Sequence, residues 1–267
     1  MLQTVSKIGP VLDLFTVARP EWGASEVSQA LGVPKSSAHA LLVALCDVGL
    51  LQVCGRGRYR LGWKVMALGE TVRTGLHLAI RQHARPLMED FARNVGETVQ
   101  LGVLERSHVL CVDSVVAHHP VTVNGSRVGM RSWAPASSLG KALLAHRYDD
   151  DGLRCAMKCG APAFTTLTTT DFAELRAELA EVRRAGLAFE NCEALEDVCG
   201  VAGCITDRSG SPLAAVGTIT LPTRFTARRK ELERAVQGLV RRISRSLIED
   251  DVEHVQLVRP TAVGEPA

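Results

Sequence analysis

Two short stretches carry residue types at spacings suited to a phosphodiester polymer. The first is VPKSSAHALLVAL, Val33 to Leu45, where Lys35, Ser36, Ser37 and His39 follow Pro34 directly. A lysine and three hydrogen-bonding side chains at a helix start can meet base edges, and the unpaired N–H groups of that first turn suit a phosphate. The second is CGRGRYRL, Cys54 to Leu61, with Arg56, Arg58 and Arg60 at alternate positions. Strand alternation predicts all three on one side, and Gly55 and Gly57 let the chain come close to a sugar–phosphate backbone. Between residues 34 and 64 five Lys or Arg stand against one acid, Asp47, on a 267-residue chain of net charge +2. The positive charge is therefore local, the electrostatic footprint of a nucleic-acid surface on a near-neutral protein.

Those residues need a scaffold, and the flanking sequence supplies one. Ile8, Val11, Leu12 and Phe15 recur at helical spacing, with Pro10 tolerated in the first turn. In GASEVSQALG, Ser25 reads as the N-cap, Val27, Ala30 and Leu31 as inward positions, and Gly32 as the terminator. Pro34 then falls at a first helical position, where its missing N–H costs nothing. Ala38, Leu41, Leu42 and Leu45 form an i, i+3, i+4, i+7 stripe, leaving Lys35, Ser36, His39, Ala40 and Val43 on the other face. Gly49 closes this helix, and LLQVCGRGRYRL reads as a β-hairpin. Helix, short turn, helix, basic hairpin is a winged helix-turn-helix order. The same scaffold with a solvated hairpin also serves as a protein-contact module.

Beyond Gly62 the organisation changes. Trp63 to Val95 reads as helical with breaks near Gly75 and Pro86, a linker helix and then the first helix of a second domain. Strand-like runs follow at Thr98–Leu104, His108–Val115, Val121–Asn124, Cys199–Thr206 and Ala214–Leu221, with helical runs at Ser138–Ala145, Asp171–Ala185 and Thr226–Glu249. Short turns between strands predict a largely antiparallel sheet with helices packed on it, an α+β architecture. The boundaries are 1–62 for the winged helix-turn-helix, 63–80 for the linker helix, 81–250 for the second domain and 251–267 for a disordered tail. From Arg224 to Arg245 eight basic residues face two acids, which reads as the solvated side of a packed helix.

Several classes fall away. No run approaches the ~18 apolar residues of a membrane helix, and MLQTVSKIGPVLDLF lacks the features of a signal peptide; the cytoplasm is expected and no membrane partner. Eight cysteines are scattered without a C-x-x-C pair. A zinc set of Cys155, Cys159, Cys199 and Cys204 fits no common spacing, so neither metal nor cofactor is expected. No nucleophile elbow, P-loop, dinucleotide fingerprint or H-E-x-x-H occurs, and no catalytic residue is assigned.

The order of motifs resembles the IclR family of transcriptional regulators. SEVSQALGVPKSSAHALLVALCDVGLL…GRYRLG, GETVQLGVL, SLGKALLA, ELAEVRRAGLAFE and AAVGTITLP carry the resemblance along nearly the whole chain. It implies a winged helix, a linker helix and a GAF-like domain that binds a small organic or aromatic acid effector. It also implies dimers, or dimers of dimers, on a pseudo-palindromic double-stranded operator, as a repressor of a metabolic operon. Ser25, Pro34, Lys35, Ser36, Ser37, His39, Ala40, Arg56 and Arg58 are then the DNA-contacting positions. Relatives often carry arginine where Ala40 stands. The effector positions implied are Trp133, Ser138, Leu139, Glu190, Cys199, Gly200, Thr218 and Thr220. Backbone N–H groups near Ser138 and Leu139 would offer a carboxylate seat. Glu190 stands where Asp is frequent, and Thr218 and Thr220 are matched to a frequent serine pair. Trp133 would favour a flat apolar ligand if it faces the pocket and is otherwise core. Gly200, where Cys is frequent, would enlarge the pocket.

Overall fold

A computed structural model describes residues 7–16, 18–73, 76–119, 123, 127–147, 149–158 and 162–250. The chain divides into two units, Met1–Gly75 and Leu76–Ala267. The stretch 63–80 expected as one linker thus holds the end of one unit and the start of the next. The predicted strand Val121–Asn124, save Val123, and the tail 251–267 lie outside the described residues.

In the first unit α1 (Ile8–Asp13) is followed by β1 (Trp22–Gly23), α2 (Ala24–Leu31), α3 (Lys35–Asp47), β2 (Leu51–Val53), β3 (Arg58–Leu61) and α4 (Trp63–Arg73). The three strands form an antiparallel sheet in the order β1-β3-β2. Val11, Trp22, Val27, Leu42, Leu45 and Tyr59 are among the buried side chains that share its core. The stripe of α3 is buried as expected, whereas Ala30 on α2 is exposed.

Two helix starts differ from the sequence reading. The N-cap of α2 is Gly23, not Ser25. Pairing of Trp22 with Tyr59 and Gly23 with Arg58 ends the strand there, and the Glu26 carboxylate accepts the Gly23 N–H at 2.7 Å. Ser25 lies exposed in the first turn. Pro34 is the N-cap of α3 rather than its first helical residue. Its carbonyl takes the Ala38 N–H at 3.0 Å, and its ψ of 143° keeps it extended. Gly32 ends α2 at φ 63°, in the left-handed region expected of a glycine terminator.

The second unit is built on six antiparallel strands: β4 (Thr98–Glu105), β5 (His108–Val115), β6 (Arg131–Trp133), β7 (Ala188–Asn191), β8 (Cys199–Thr206) and β9 (Pro212–Thr220), in the order β6-β5-β4-β9-β8-β7. One face packs on α5 (Leu76–Val95) and the long α9 (Pro222–Glu249), with Met88, Val99, Val201, Val216, Leu232 and Val236 in the seam. The other face packs on α6 (Ser138–Arg147), and α8 (Phe172–Ala185) packs on α6 in turn, with Leu143, Leu144, Leu175, Leu179, Ala202 and Ala215 in the shared core. A further helix, α7 (Asp150–Lys158), lies between α6 and α8 in sequence. This is the α+β layering that a GAF-like domain requires.

Helix α5 runs through Pro86 without a break. A proline inside a helix removes one bond and costs about 3 kcal/mol. Burial of Ile80, Ala84, Met88 and Phe91 on one face offsets that loss. Arg81 and Arg85 also grip the buried Asp113 from the same helix, at 2.8 and 2.7 Å. The basic run of α9 is partly used internally: Arg224 and Arg228 approach Glu97 at 3.2 and 3.4 Å, and Arg229 pairs with Glu233 on its own helix. No helix among the described residues is long and apolar enough to cross a membrane.

Candidate nucleic-acid interface and ligand cavity

On the first unit, Lys35, Ser36, His39, Ala40 and Val43 are exposed along one face of α3, and Ser37 is half-buried at its edge. Burial of the opposite stripe leaves this face free and orients the α3 N-terminus outward. Ala40 presents only a methyl group there. In the hairpin the expected one-sided row of arginines is replaced by three distinct placements. Arg56 sits in the turn at φ 48°, outside the strand, and is exposed. Arg60 is exposed on β3, opposite Gln52. Arg58 turns back: its guanidinium donates to Glu26 at 3.1 Å and to the Glu21 carbonyl at 2.8 Å.

Glu26 is the hub of that arrangement. It accepts from Gly23 N–H, Arg19 and Arg58, while Arg19 stacks on the Trp22 ring at 3.5 Å. The Gly23 N–H, with Arg58 and Arg19 beside it, holds the Glu26 carboxyl below its ordinary range. Arg58 therefore ties the wing to the start of α2.

On the second unit, a cavity of about 50 Å³ opens where the N-terminus of α6 meets the sheet. Ser137, Ser138 and Leu139 form one wall, Glu190 of β7 another, and Gln100 and Ile219 the floor. Leu195 and Val198, from the turn between β7 and β8, reach the rim. The Ser138 N–H donates to Glu190 Oε2 at 3.4 Å. The open carboxylate seat expected at this helix start is thus filled by the protein's own carboxyl. Glu190 is 5% exposed. Burial raises its pKa to about 7 against the opposing Ser138 N–H, with Glu193 adding to the rise. Burial likewise pushes the nearby Cys111 thiol up to about 11.

Of the eight positions that the resemblance implied, Ser138, Leu139 and Glu190 line this cavity. The others do not. Gly200 lies beneath it, and a Cβ there would stand 2.8 Å from Ser138 Oγ and 3.3 Å from Ile219 Cγ2. The glycine lets α6 approach the sheet instead of enlarging the cavity. Trp133 is buried beside Phe164, ring centroids 6.1 Å apart, and so belongs to the packing. Cys199, Thr218 and Thr220 face the opposite layer. Thr218 pairs in register with Val99 and Val201, both in the core under α5 and α9, and Thr220 pairs with Cys199. Thr218 Oγ1 donates to the Thr98 carbonyl at 2.7 Å. Adjacent residues of a strand face opposite sides, so Ile219 takes the place expected of the threonines.

Gln100 was missed, yet it carried a signal: it is a polar residue flanked by Val99 and Leu101 within the strand, and it lies across from Gly217 on the cavity side. Lys141 was also missed. It is fully buried and its ammonium lies 2.6 Å from both Glu178 and Glu193. The zinc reading fails on β8, where the same alternation sends Cys199 and Cys204 into different cores. The side chains of Cys155 and Cys159 lie outside the described residues. Cys199 instead lies against Cys192, sulfur to sulfur 3.4 Å. Among the described residues no cluster of three potential metal ligands occurs.

Two family models cover this architecture. The bacterial transcriptional regulator IclR C-terminal domain matches residues 74–245, and the IclR helix-turn-helix domain matches residues 4–53. The chain belongs to the IclR family. Its IclR relatives include the glycerol operon regulatory protein of Streptomyces coelicolor, 31% identical over 92% of this chain and 96% of that protein. The transcriptional repressor IclR of Escherichia coli is 26% identical over 76% of this chain and 74% of its own. Among solved structures, an IclR homolog from Microbacterium hydrocarbonoxydans complexed with 4-hydroxybenzoate superposes with a TM-score of 0.74. It is 28% identical and covers 92% of this chain and 99% of its own. As an IclR family member the chain is a DNA-binding transcriptional regulator with an effector-binding C-terminal domain, and not an enzyme.

Proposed function

We propose that this protein is a repressor that binds a pseudo-palindromic operator as a dimer or dimer of dimers, and that a small organic molecule in the α6 cavity changes its hold on DNA. The observation that carries the DNA side is the exposed Lys35, Ser36 and His39 face of α3, on the same small unit as Arg56 and Arg60 of the wing. The helix N-terminus, Lys35 and the serines reach into the major groove, while Arg56 and Arg60 neutralise phosphates. Arg58, engaged with Glu21 and Glu26, sets the position of the wing. Operator binding places the protein in the bacterial cytoplasm.

Self-association is supported by α4, where Trp63 is 74% and Met66 63% exposed, an apolar exposure that a second copy would cover. A two-fold protein reads two half-sites. The Microbacterium structure supports a small-molecule site in a domain of this kind, and its ligand is an aromatic acid. The ligand acts by binding one arrangement of the dimer better than another.

Gel shift on the gene's own upstream region tests the reading. Specific binding should weaken steeply with salt, and Arg56→Ala should lower the slope of log K against log salt by about one. Arg58→Ala should weaken binding at every salt concentration with less change in slope, because that guanidinium holds Glu26. No specific binding across a promoter library would sink the proposal and leave the first unit as a protein-contact module.

A further inference from the structure

We propose that the cavity at the start of α6 takes a small uncharged polyhydroxyl compound and rejects carboxylates, because Glu190 occupies the anion seat of that helix. This rests on the cavity being the effector site. The Ser138 N–H, which would otherwise receive a ligand anion, already donates to Glu190 Oε2 at 3.4 Å. None of the described lining residues is basic. The buried cation next to the site, Lys141, is engaged by Glu178 and Glu193 at 2.6 Å. One ammonium among three carboxyls leaves the surroundings of the cavity negative, and a ligand carboxylate would approach Glu190 with little water to screen it.

A hydroxyl suits this site in either charge state of the glutamate. It donates to the ionised carboxylate and accepts from the protonated one. A carboxylate ligand is compatible only with protonated Glu190, so its binding must take up a proton near neutral pH, where burial has placed the Glu190 pKa. The serine hydroxyls of Ser132 and Ser138 offer the same two-way hydrogen bonding, and Val109, Leu139 and Ile219 cover a carbon chain.

Calorimetric titration of the full-length protein at millimolar concentrations of glycerol, erythritol, pyruvate and 4-hydroxybenzoate tests the inference. At about pH 8, where Glu190 is largely ionised, a polyol should bind at least about tenfold tighter than either acid. Glu190→Gln should narrow or reverse that order by strengthening the acids. Tighter binding of an acid to the wild-type protein, or no heat from either polyol, overturns the proposal. The effector-site reading is tested separately by Leu195→Trp, at the exposed rim, and Ile219→Phe, in the floor, each checked for folding by circular dichroism. If acids bind and both variants abolish the binding, the cavity is the effector site and the polyol assignment falls. If polyols bind and neither variant affects them, the ligand sits elsewhere and both readings fall.

Discussion

Lys141→Met is expected to lower the unfolding free energy of the second unit by about 3–5 kcal/mol, the cost of leaving a buried charge without its partner. Methionine keeps most of the volume, so the loss is not one of packing. Lys141 is fully buried, and Glu193, 7% exposed at its side chain, depends on it for a counter-charge; Glu178 is one-third exposed and can turn to water. Burial already raises the Glu193 pKa, with Lys141 opposing. Removing the lysine should drive that carboxyl to its neutral form. The deficit should therefore shrink in acid, and Glu193→Gln added to Lys141→Met should recover part of it. Urea denaturation at neutral and acid pH measures both. A deficit below about 1 kcal/mol would mean that the ion pair contributes no more than a packed thioether.

The second large effect belongs to Glu190, whose substitution should stabilise the protein in alkali. Its pKa in the folded chain, about 7, lies above the ordinary 4.5, with burial the leading cause. A raised folded value means that the native state binds the proton more tightly than the unfolded chain does. That contribution is complete below about pH 4.5 and is lost as pH rises through about 7. Glu190→Gln has no proton to lose. Relative to the wild-type protein it should gain stability across that window, by up to about 3 kcal/mol at the alkaline end. Denaturant midpoints at about pH 5 and about pH 8 check the sign. A difference between the two proteins that is equal at both pH values would show that Glu190 is not held neutral by burial.

Much of this was legible before the structure. The α3 stripe follows from helical periodicity, and Gly32 from the backbone conformation a helix end demands. The bounds expected for β5 and β8, His108–Val115 and Cys199–Thr206, are those observed, and β4 runs one residue past its expected end at Leu104. What stayed hidden depends on pairing between distant segments. The faces of β9 are set by its register with β4 and β8, and a shift of one residue exchanges Thr218 for Ile219. Arg58 looked like a phosphate contact because its partner Glu26 lies 32 residues away. Strand β1 has two residues and no periodicity to read. Lys141 sits in an ordinary-looking helical run, and only the tertiary fold brings Glu193 to it. Pro86 carried a true local signal that the packing of α5 overrides.

Strand β9 is one residue thick between the cavity and the layer of α5 and α9, and its alternation has a genetic consequence. In a screen for altered regulation, neighbouring codons should give alleles of different kinds. Changes at Ile219 should move the ligand dose at which expression responds. Changes at Thr218, whose hydroxyl is bonded to Thr98 on the far side, should leave the dose alone and alter how much protein survives to respond. Odd and even positions of a single strand would then sort into separate phenotypic classes, a pattern that a map of distances from the ligand would blur.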